Sequence, residues 1–223
     1  QEMIDSCLYH GSDPTFPINM NIVNMLNTKY IIANGRLPED KFKPAAYDQT
    51  KQTMTHLNPA FQARAFFVDE VAIAKNKSEV FQDLNSPLFD SHHAAVLEKI
   101  PVMQPQKSDS TVAVITSYKS YQIEIATYCN NASLLVLSEV YYPAGWKAYI
   151  DGQETEIYKT NYILRSVVVP SGNHKVEFKF DPLIYKTGFT ITHIAWVITI
   201  LMIVIGFIQS PLGRKYIKIR TKT

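Results

Sequence analysis

The fold is decided by residues 134–182, which read LLVLSEVYYPAGWKAYIDGQETEIYKTNYILRSVVVPSGNHKVEFKFDP. Short runs rich in Val, Ile, Tyr and Phe alternate here with turn signals at residues 143–145, 151–152 and 170–172. Strands of this composition that are punctuated by Pro, Gly, Asp and Ser are typical of antiparallel hairpins. The stretch therefore predicts an array of antiparallel strands.

Two details of the stretch make the prediction specific. Asp151-Gly152 stands between two apolar-patterned runs, and Asp-Gly is a strong hairpin signal because both residues tolerate positive φ. In residues 174–180, HKVEFKF, apolar and charged residues alternate. This strand is expected to turn Val176, Phe178 and Phe180 toward a core and its charged residues toward water.

The same pattern extends over the second half of the chain. From Thr111 to Pro182 we count seven candidate strands, and seven short strands with regular turns favour a β-sandwich, here of jelly-roll-like type. We therefore predict a mainly β chain with minor α content. The predicted domains are an α+β extracytoplasmic segment (1–105), an antiparallel β-sandwich (106–187), a transmembrane helix (188–209) and a basic cytoplasmic tail (210–223).

The N-terminal segment has weaker signals. Its predicted elements are a short helix at 19–26, a strand at 28–33, a surface loop at 36–55, a strand at 63–74, a helix at 77–84 capped by Asn76 or Ser78, and a short strand or turn at 94–100.

One apolar run predicts a membrane span. Phe189 to Ile208 contain no Asp, Glu, Lys or Arg over 20 residues, which is the length needed to cross the hydrocarbon core. Five basic residues and no acidic residue follow it. The positive-inside rule therefore places the C-terminus in the cytoplasm and residues 1 to about 187 outside. The lipid bilayer is thus an expected partner. Next to a span, such a tail orients the protein and contacts anionic lipid, so we expect no nucleic-acid partner.

Composition adds less. The chain has 223 residues, 46% hydrophobic and 19% charged, with a net charge of +2, and is globular in character. It opens with Gln1 and without a signal peptide, so we interpret it as a fragment. Cys7 and Cys129 match no metal or redox spacing; a disulfide and two separate buried thiols both remain open.

A search for catalytic chemistry finds no candidate catalytic, cofactor-binding or metal-binding residue. Phosphate-loop, nucleophile-elbow and zinc-protease motifs are missing from the sequence. His92-His93 has no further ligands in a metal pattern and is expected in an exposed loop. Glu154 and Glu156 beside Asp151 form an acidic cluster, and two carboxylates of such a cluster could carry out glycosidic chemistry, but a solvated hairpin is the preferred interpretation.

Aromatic residues crowd the two central hairpins. Flat rings beside polar groups can stack on sugars, but strand alternation directs about half of them into the core. Alternation places Trp146 with Ala148 and Ile150 on the core face. Tyr142 and Tyr149 are left as the candidate carbohydrate contacts.

Several motifs resemble the C-terminal region of the YfhO family of bacterial membrane proteins. They are residues 142–152, Asn161, Leu164-Arg165, Val169-Pro170, Gly172-Asn173-His174 and Asp181-Pro182, with Met25 to Ile32, Pro59-Ala60-Phe61 and Ala63-Arg64-Ala65 further upstream. One departure is Pro143-Ala144-Gly145, since the commoner pattern places Pro directly before Gly-Trp.

The resemblance implies more than the residues alone. Members of this family are large polytopic proteins similar to GT-C glycosyltransferases, which use lipid-linked sugars at the outer membrane face. This chain would be the extracytoplasmic C-terminal domain and last span of such a protein, in the bacterial plasma membrane, supporting sugar transfer to a cell-envelope acceptor. Its expected partners are the rest of the membrane part, a lipid-linked sugar or a surface glycan. The catalytic acid of that class lies near the N-terminus of the full protein, so no catalytic residue and no cofactor are expected here. The alternative is a membrane-tethered carbohydrate-binding or structural sandwich without a catalytic role.

Overall fold

The computed structural model describes residues 2–9 and 17–210. The chain forms two compact units, Gln1–Phe180 and Asp181–Thr223. The helices are α1 (Met20–Met25), α2 (Lys77–Leu84) and α3 (Leu183–Gln209). The strands are β1 (Tyr30–Ala33), β2 (Lys43–Asp48), β3 (Thr53–Leu57), β4 (Ala65–Val68), β5 (Glu70–Ile73), β6 (Ala94–Leu97), β7 (Thr111–Lys119), β8 (Gln122–Cys129), β9 (Ser133–Val140), β10 (Trp146–Ile150), β11 (Gln153–Thr155), β12 (Tyr158–Thr160), β13 (Leu164–Val169) and β14 (Gly172–Phe180). A short π-helix, Ile4–Leu8, precedes them.

One layer of the first unit is a five-stranded antiparallel sheet in the order β11-β10-β14-β8-β7. The alternation predicted for residues 174–180 is confirmed at Val176 and Phe178, which are fully buried. Phe180 departs from it, because it lies at the end of β14 and remains 39% exposed. Its ring packs instead against Trp146 on the neighbouring strand, at a centroid distance of 5.4 Å.

The second layer is a six-stranded sheet in the order β4-β9-β13-β12-β6-β5. Its pairs are antiparallel except β5 with β6, which run parallel. Two neighbouring inner strands, β9 over its first five residues and β13 throughout, are buried on both faces, which explains why they are mostly apolar.

The six-stranded sheet separates two hydrophobic cores. On one face, Leu135, Leu137, Val167 and Val169 pack with residues of β8, β10 and β14, which makes the two sheets a sandwich. On the other face, the alternate residues of β9 and β13 pack with α1, α2 and β6. Each fully buried aliphatic side chain contributes about 1.5–3 kcal/mol.

One of the seven candidate strands, the run TEIYK at residues 155–159, is wrong in one respect. Two strands occur there, β11 and β12, and they belong to different sheets. The chain crosses from one layer of the sandwich to the other at Glu156 and Ile157. Residue types alone do not show such a crossing, because the run stays strand-like throughout.

The N-terminal predictions are partly confirmed. Helix α2 has the predicted bounds and is capped by Asn76, whose Oδ1 accepts a hydrogen bond from the Glu79 amide at 3.0 Å. The loop predicted at 36–55 is wrong, because β2 and β3 pair there and β1 joins β3 in a three-stranded sheet. All six residues of β2 are exposed, so this strand carries no apolar alternation. The strand predicted at 63–74 is divided into β4 and β5.

The Asp-Gly turn is confirmed. Asp151 and Gly152 have φ of 50° and 83°, which are the left-handed values that this hairpin requires. Asp151 also ties the turn to β14: its Oδ1 accepts from the Lys175 amide at 2.8 Å, and its Oδ2 lies 2.5 Å from His174 Nδ1.

The second unit contains the helix that the sequence predicts to span a membrane. Within α3, Thr187–Gln209 form a helix long and apolar enough to cross a membrane. Among the described residues it is the one helix of this kind. The basic tail after Ser210 lies outside the described residues, so its cytoplasmic placement stays a prediction.

The chain is thus mainly β, with several antiparallel sheets, minor helix and one apolar C-terminal helix, as the sequence predicted. The predicted boundary at residues 105 and 106 falls between β6 and β7, and the six-stranded sheet takes strands from both sides of it.

Candidate functional site

A pocket of about 230 Å³ opens at one end of the sandwich, between the two sheets. It is formed where the chain passes between the layers: after β9, along β10 and β11, through the link to β12, and at the start of β13. We call it the β10–β13 pocket. Its lining residues are Tyr141, Tyr142, Pro143, Trp146, Lys147, Glu154, Thr155, Glu156, Ile157 and Arg165.

The turn before Trp146 shapes the pocket wall. Any side chain at position 145 would place its Cβ 2.4 Å from the ring of Phe180, so Gly145 permits this ring to close over the turn. Phe180 in turn lies 5.4 Å from the Trp146 ring and 6.4 Å from that of Tyr142. The Gly-Trp pair thus builds a small aromatic cluster beside the pocket.

Arg165 is the most unusual residue of the pocket. It belongs to a strand whose six residues are all buried, and it is only 1% exposed. Its guanidinium carbon lies 4.0 Å from the Trp146 ring centroid and 5.3 Å from that of Phe178. Cation–π contacts of this kind hold a desolvated guanidinium in an otherwise apolar core.

The electrostatic partners of Arg165 are incomplete. Its nearest carboxylate oxygen is Oε2 of Glu139, 3.9 Å from Nη2, which is too long for a hydrogen bond. Its Nε and Nη1 are buried and have no hydrogen-bond acceptor among the described residues. Burial lowers the pKa of Arg165 to about 10, so the group still carries its charge at neutral pH.

Glu139 is shared between two arginines. Its Oε1 accepts from Arg64 Nη1 and from the hydroxyl of Tyr118, both at 2.7 Å. The shorter and better-formed ion pair is therefore with Arg64. One carboxylate faces two guanidinium groups, and Arg165 is the less well compensated of the two.

The two carboxylates at the pocket rim form ion pairs with lysines and not with Arg165. Glu154 Oε2 pairs with Lys147 Nζ at 3.1 Å, and Glu156 pairs with Lys99. Both glutamates are exposed, as the solvated-hairpin interpretation expected. Each is matched to a lysine, and Asp151 is bound to His174 on the other side of the hairpin.

The structure separates the two predicted carbohydrate contacts. Tyr142 is 53% exposed and lines the pocket. Tyr149 lies outside it and is half-buried, with Lys179 Nζ 5.1 Å from its ring centroid. Trp146 is half-buried and packs against the sandwich core with Ile150, on the side that alternation predicted. Carbohydrate contact at either tyrosine stays a prediction.

Sequence reasoning missed Arg165 as a site residue. The available signal is a single charged residue inside the run YILRSVVV, where the neighbouring residues are apolar or small. A lone charge in a buried strand needs a partner or a function. Which partners it meets is decided by β9 and β10, and their approach is not visible in the sequence.

Other candidates are placed as follows. His92 and His93 are exposed and each approaches an aspartate, Asp90 at 3.2 Å and Asp69 at 3.1 Å. No group of three or more potential ligands is arranged for a metal within residues 2–9 and 17–210. Cys7 and Cys129 are free and buried, so the interpretation as two separate thiols is correct.

Comparisons with known proteins agree with the resemblance. No curated protein and no solved structure matches the chain. A family model matches residues 102–192, which run from just before β7, through the whole pocket, into the first part of α3. That model describes the bacterial membrane protein YfhO. The YfhO resemblance is therefore confirmed as a similarity over residues 102–192.

Proposed function

We propose that this chain is the extracytoplasmic C-terminal domain and last membrane span of a polytopic bacterial membrane protein of the GT-C glycosyltransferase type. In this role the domain supports transfer of sugar from a lipid-linked donor to an acceptor in the cell envelope. The observation that carries the proposal is the continuous family match, which joins the β7–β14 strands to the start of an apolar, span-length helix.

The charge distribution supports the orientation. The span is followed by Arg214, Lys215, Lys218, Arg220 and Lys222 without any acid. Basic residues that flank a span are retained in the cytoplasm. The sandwich on the other side of the span would then face the outside, which is where lipid-linked sugars are used in the GT-C class.

Reporter fusions test this orientation. An alkaline phosphatase that is active only outside the cytoplasm should be inactive when fused after Thr223 and active when inserted near Ser110. A cytoplasmic reporter such as green fluorescent protein should give the opposite result at the same two positions. The reversed pattern at both sites would refute the orientation.

Sugar analysis of the cell envelope tests the function. In a bacterium that encodes the full-length protein, deletion of the gene should remove a sugar substituent from one envelope polymer, and the wild-type gene should restore it. An unchanged polymer in the deletion strain would contradict a role in sugar transfer.

A second function is favoured by the β10–β13 pocket. An aromatic ring, an exposed tyrosine and paired charges around a small cavity suit a binding module that holds a glycan without catalysis. In that case the envelope sugars would persist in the deletion strain, while the purified chain would still bind glycan.

A further inference from the structure

Among the described residues that the ion pairs of the β10–β13 pocket join, the positive and negative charges are unequal in number. Four cations and three carboxylates are joined by the contacts described above, namely Arg64, Lys99, Lys147 and Arg165 with Glu139, Glu154 and Glu156. Arg64, Lys99 and Lys147 each form a close ion pair with one of the three carboxylates. The positive charge without a close counter-ion belongs to Arg165, the one cation of the four that is almost fully buried.

A buried arginine with a purely structural role would have hydrogen-bond acceptors for all of its nitrogens. Buried guanidinium groups are normally paired and hydrogen-bonded, since an unpaired buried donor costs about 1–3 kcal/mol. Arg165 leaves two nitrogens without acceptors, and it does so at the wall of a cavity. An acceptor supplied from the cavity would complete both its hydrogen bonds and its charge.

We propose that the β10–β13 pocket binds a small anionic group, a carboxylate or a phosphate, with the guanidinium of Arg165 as its counter-ion. Planar guanidinium donors suit both kinds of oxyanion. At about 230 Å³ the cavity is smaller than a drug-sized site, so the bound part is one acidic group or one sugar-sized ring. This inference stands on the pocket alone and does not depend on sugar transfer.

The pocket needs a small rearrangement for this contact. Both unpaired nitrogens of Arg165 are covered in the structure, so a lining side chain must move before an anion reaches them. The side chains of Lys147 and Glu154 at the rim are 45% and 55% exposed and can change rotamer at low cost. Tyr142, which is also exposed, can contact the body that carries the anion.

Binding can be followed with the full chain in neutral detergent. The chain has two tryptophans, so Trp196→Phe leaves Trp146, against Arg165, as the fluorescent reporter. The probes are glucuronate, glucose 1-phosphate, inorganic phosphate and uncharged glucose, at constant ionic strength. We expect a saturable fluorescence change with at least one anion and none with glucose. No saturation with any anion, or equal binding of glucose, overturns the proposal.

Three variants identify the binding group. Arg165→Met should weaken anion binding by roughly tenfold or more, since it removes charge-assisted hydrogen bonds. Lys179→Met removes one positive charge outside the pocket and should leave the affinity unchanged. Glu139→Gln keeps an acceptor for Arg64 and Tyr118 but removes the competing charge, so it should strengthen binding. Unchanged affinity in Arg165→Met, or weaker binding in a folded Glu139→Gln chain, overturns the assignment.

The source of the anion is tested separately in nanodiscs. If lipid headgroups occupy the pocket, phosphatidylglycerol should reduce the affinity for the added anion relative to phosphatidylcholine. If the ligand is a soluble or glycan-borne anion, the two lipids should give the same affinity. Either result is compatible with an anion site at Arg165, and the variants above decide whether that site exists.

Discussion

Replacement of Arg165 by methionine should make the protein more stable. The substitution fills a similar volume between Trp146 and Phe178 and removes a buried charge with two unpaired nitrogens. Each unpaired buried nitrogen costs about 1–3 kcal/mol, whereas the lost cation–π contact is worth about 2 kcal/mol. Glu139 keeps Arg64 and Tyr118 as partners. We therefore expect a gain of about 2 kcal/mol in the free energy of unfolding, which is the difference between these two contributions.

Thermal denaturation of the full chain in detergent, followed by near-ultraviolet circular dichroism, measures this effect. For a chain of this size, about 2 kcal/mol corresponds to about 4–8 °C in Tm. Two matched variants control for other causes. Arg165→Ala removes the same nitrogens but leaves a cavity. Its free energy of unfolding should therefore be about 2–4 kcal/mol lower than that of Arg165→Met. Lys179→Met, at the surface, should stay within about 0.5 kcal/mol of the parent.

A lower Tm for Arg165→Met than for the parent would contradict a destabilising role of Arg165. It would mean that the two nitrogens find acceptors in solution, for example ordered water, and that Arg165 stabilises the fold. The charge imbalance on which the anion site rests would then be explained without a ligand.

Three further predictions concern other parts of the domain. Trp146→Ala should lower the free energy of unfolding by about 3 kcal/mol, measured by chemical denaturation, because a large ring that packs on the core is lost; a parent-like midpoint would contradict a packing role. Asn161→Ala should lower the free energy of unfolding by about 3 kcal/mol in the same assay, because Asn161 has φ of 47° and its Oδ1 accepts a hydrogen bond from the Val96 amide at 2.8 Å. An unchanged free energy of unfolding would contradict this role of Asn161. The hydrogen bond to Asp151 raises the pKa of His174, and the same bond lowers that of Asp151. The stability from His174 should be fully present below its ordinary pKa and be lost as pH rises through the raised value, while that from Asp151 is lost as pH falls through its lowered pKa. His174→Gln should flatten the upper part of this profile in Tm measured against pH, and an unchanged profile would show that the pair does not form.

Local signals in the sequence were sufficient for some elements. The Asp151-Gly152 turn follows from the positive φ that both residues tolerate, and the Asn76 cap of α2 from a side chain that satisfies a helix amide. The apolar helix α3 follows from twenty consecutive residues without Asp, Glu, Lys or Arg. In each case the residues that determine the element lie next to one another in the chain.

Other features depend on contacts that the sequence does not display. Strand β2 was missed because none of its residues is buried, so it has no apolar period to detect. The division of residues 155–159 between two sheets depends on the closure of the sandwich. The surroundings of Arg165 come from Glu139 on β9 and Trp146 on β10, which are brought together only by the packing of the two sheets.

The most direct test of the proposed function is a transfer assay with the full-length protein. Membranes that contain it would be supplied with radiolabelled lipid-linked sugar and an envelope polymer from the deletion strain. We expect transfer of label to the polymer, and loss of that transfer when residues 106–180 are deleted from a protein that still inserts into the membrane. Equal transfer with and without these residues would contradict a role of this domain in the reaction.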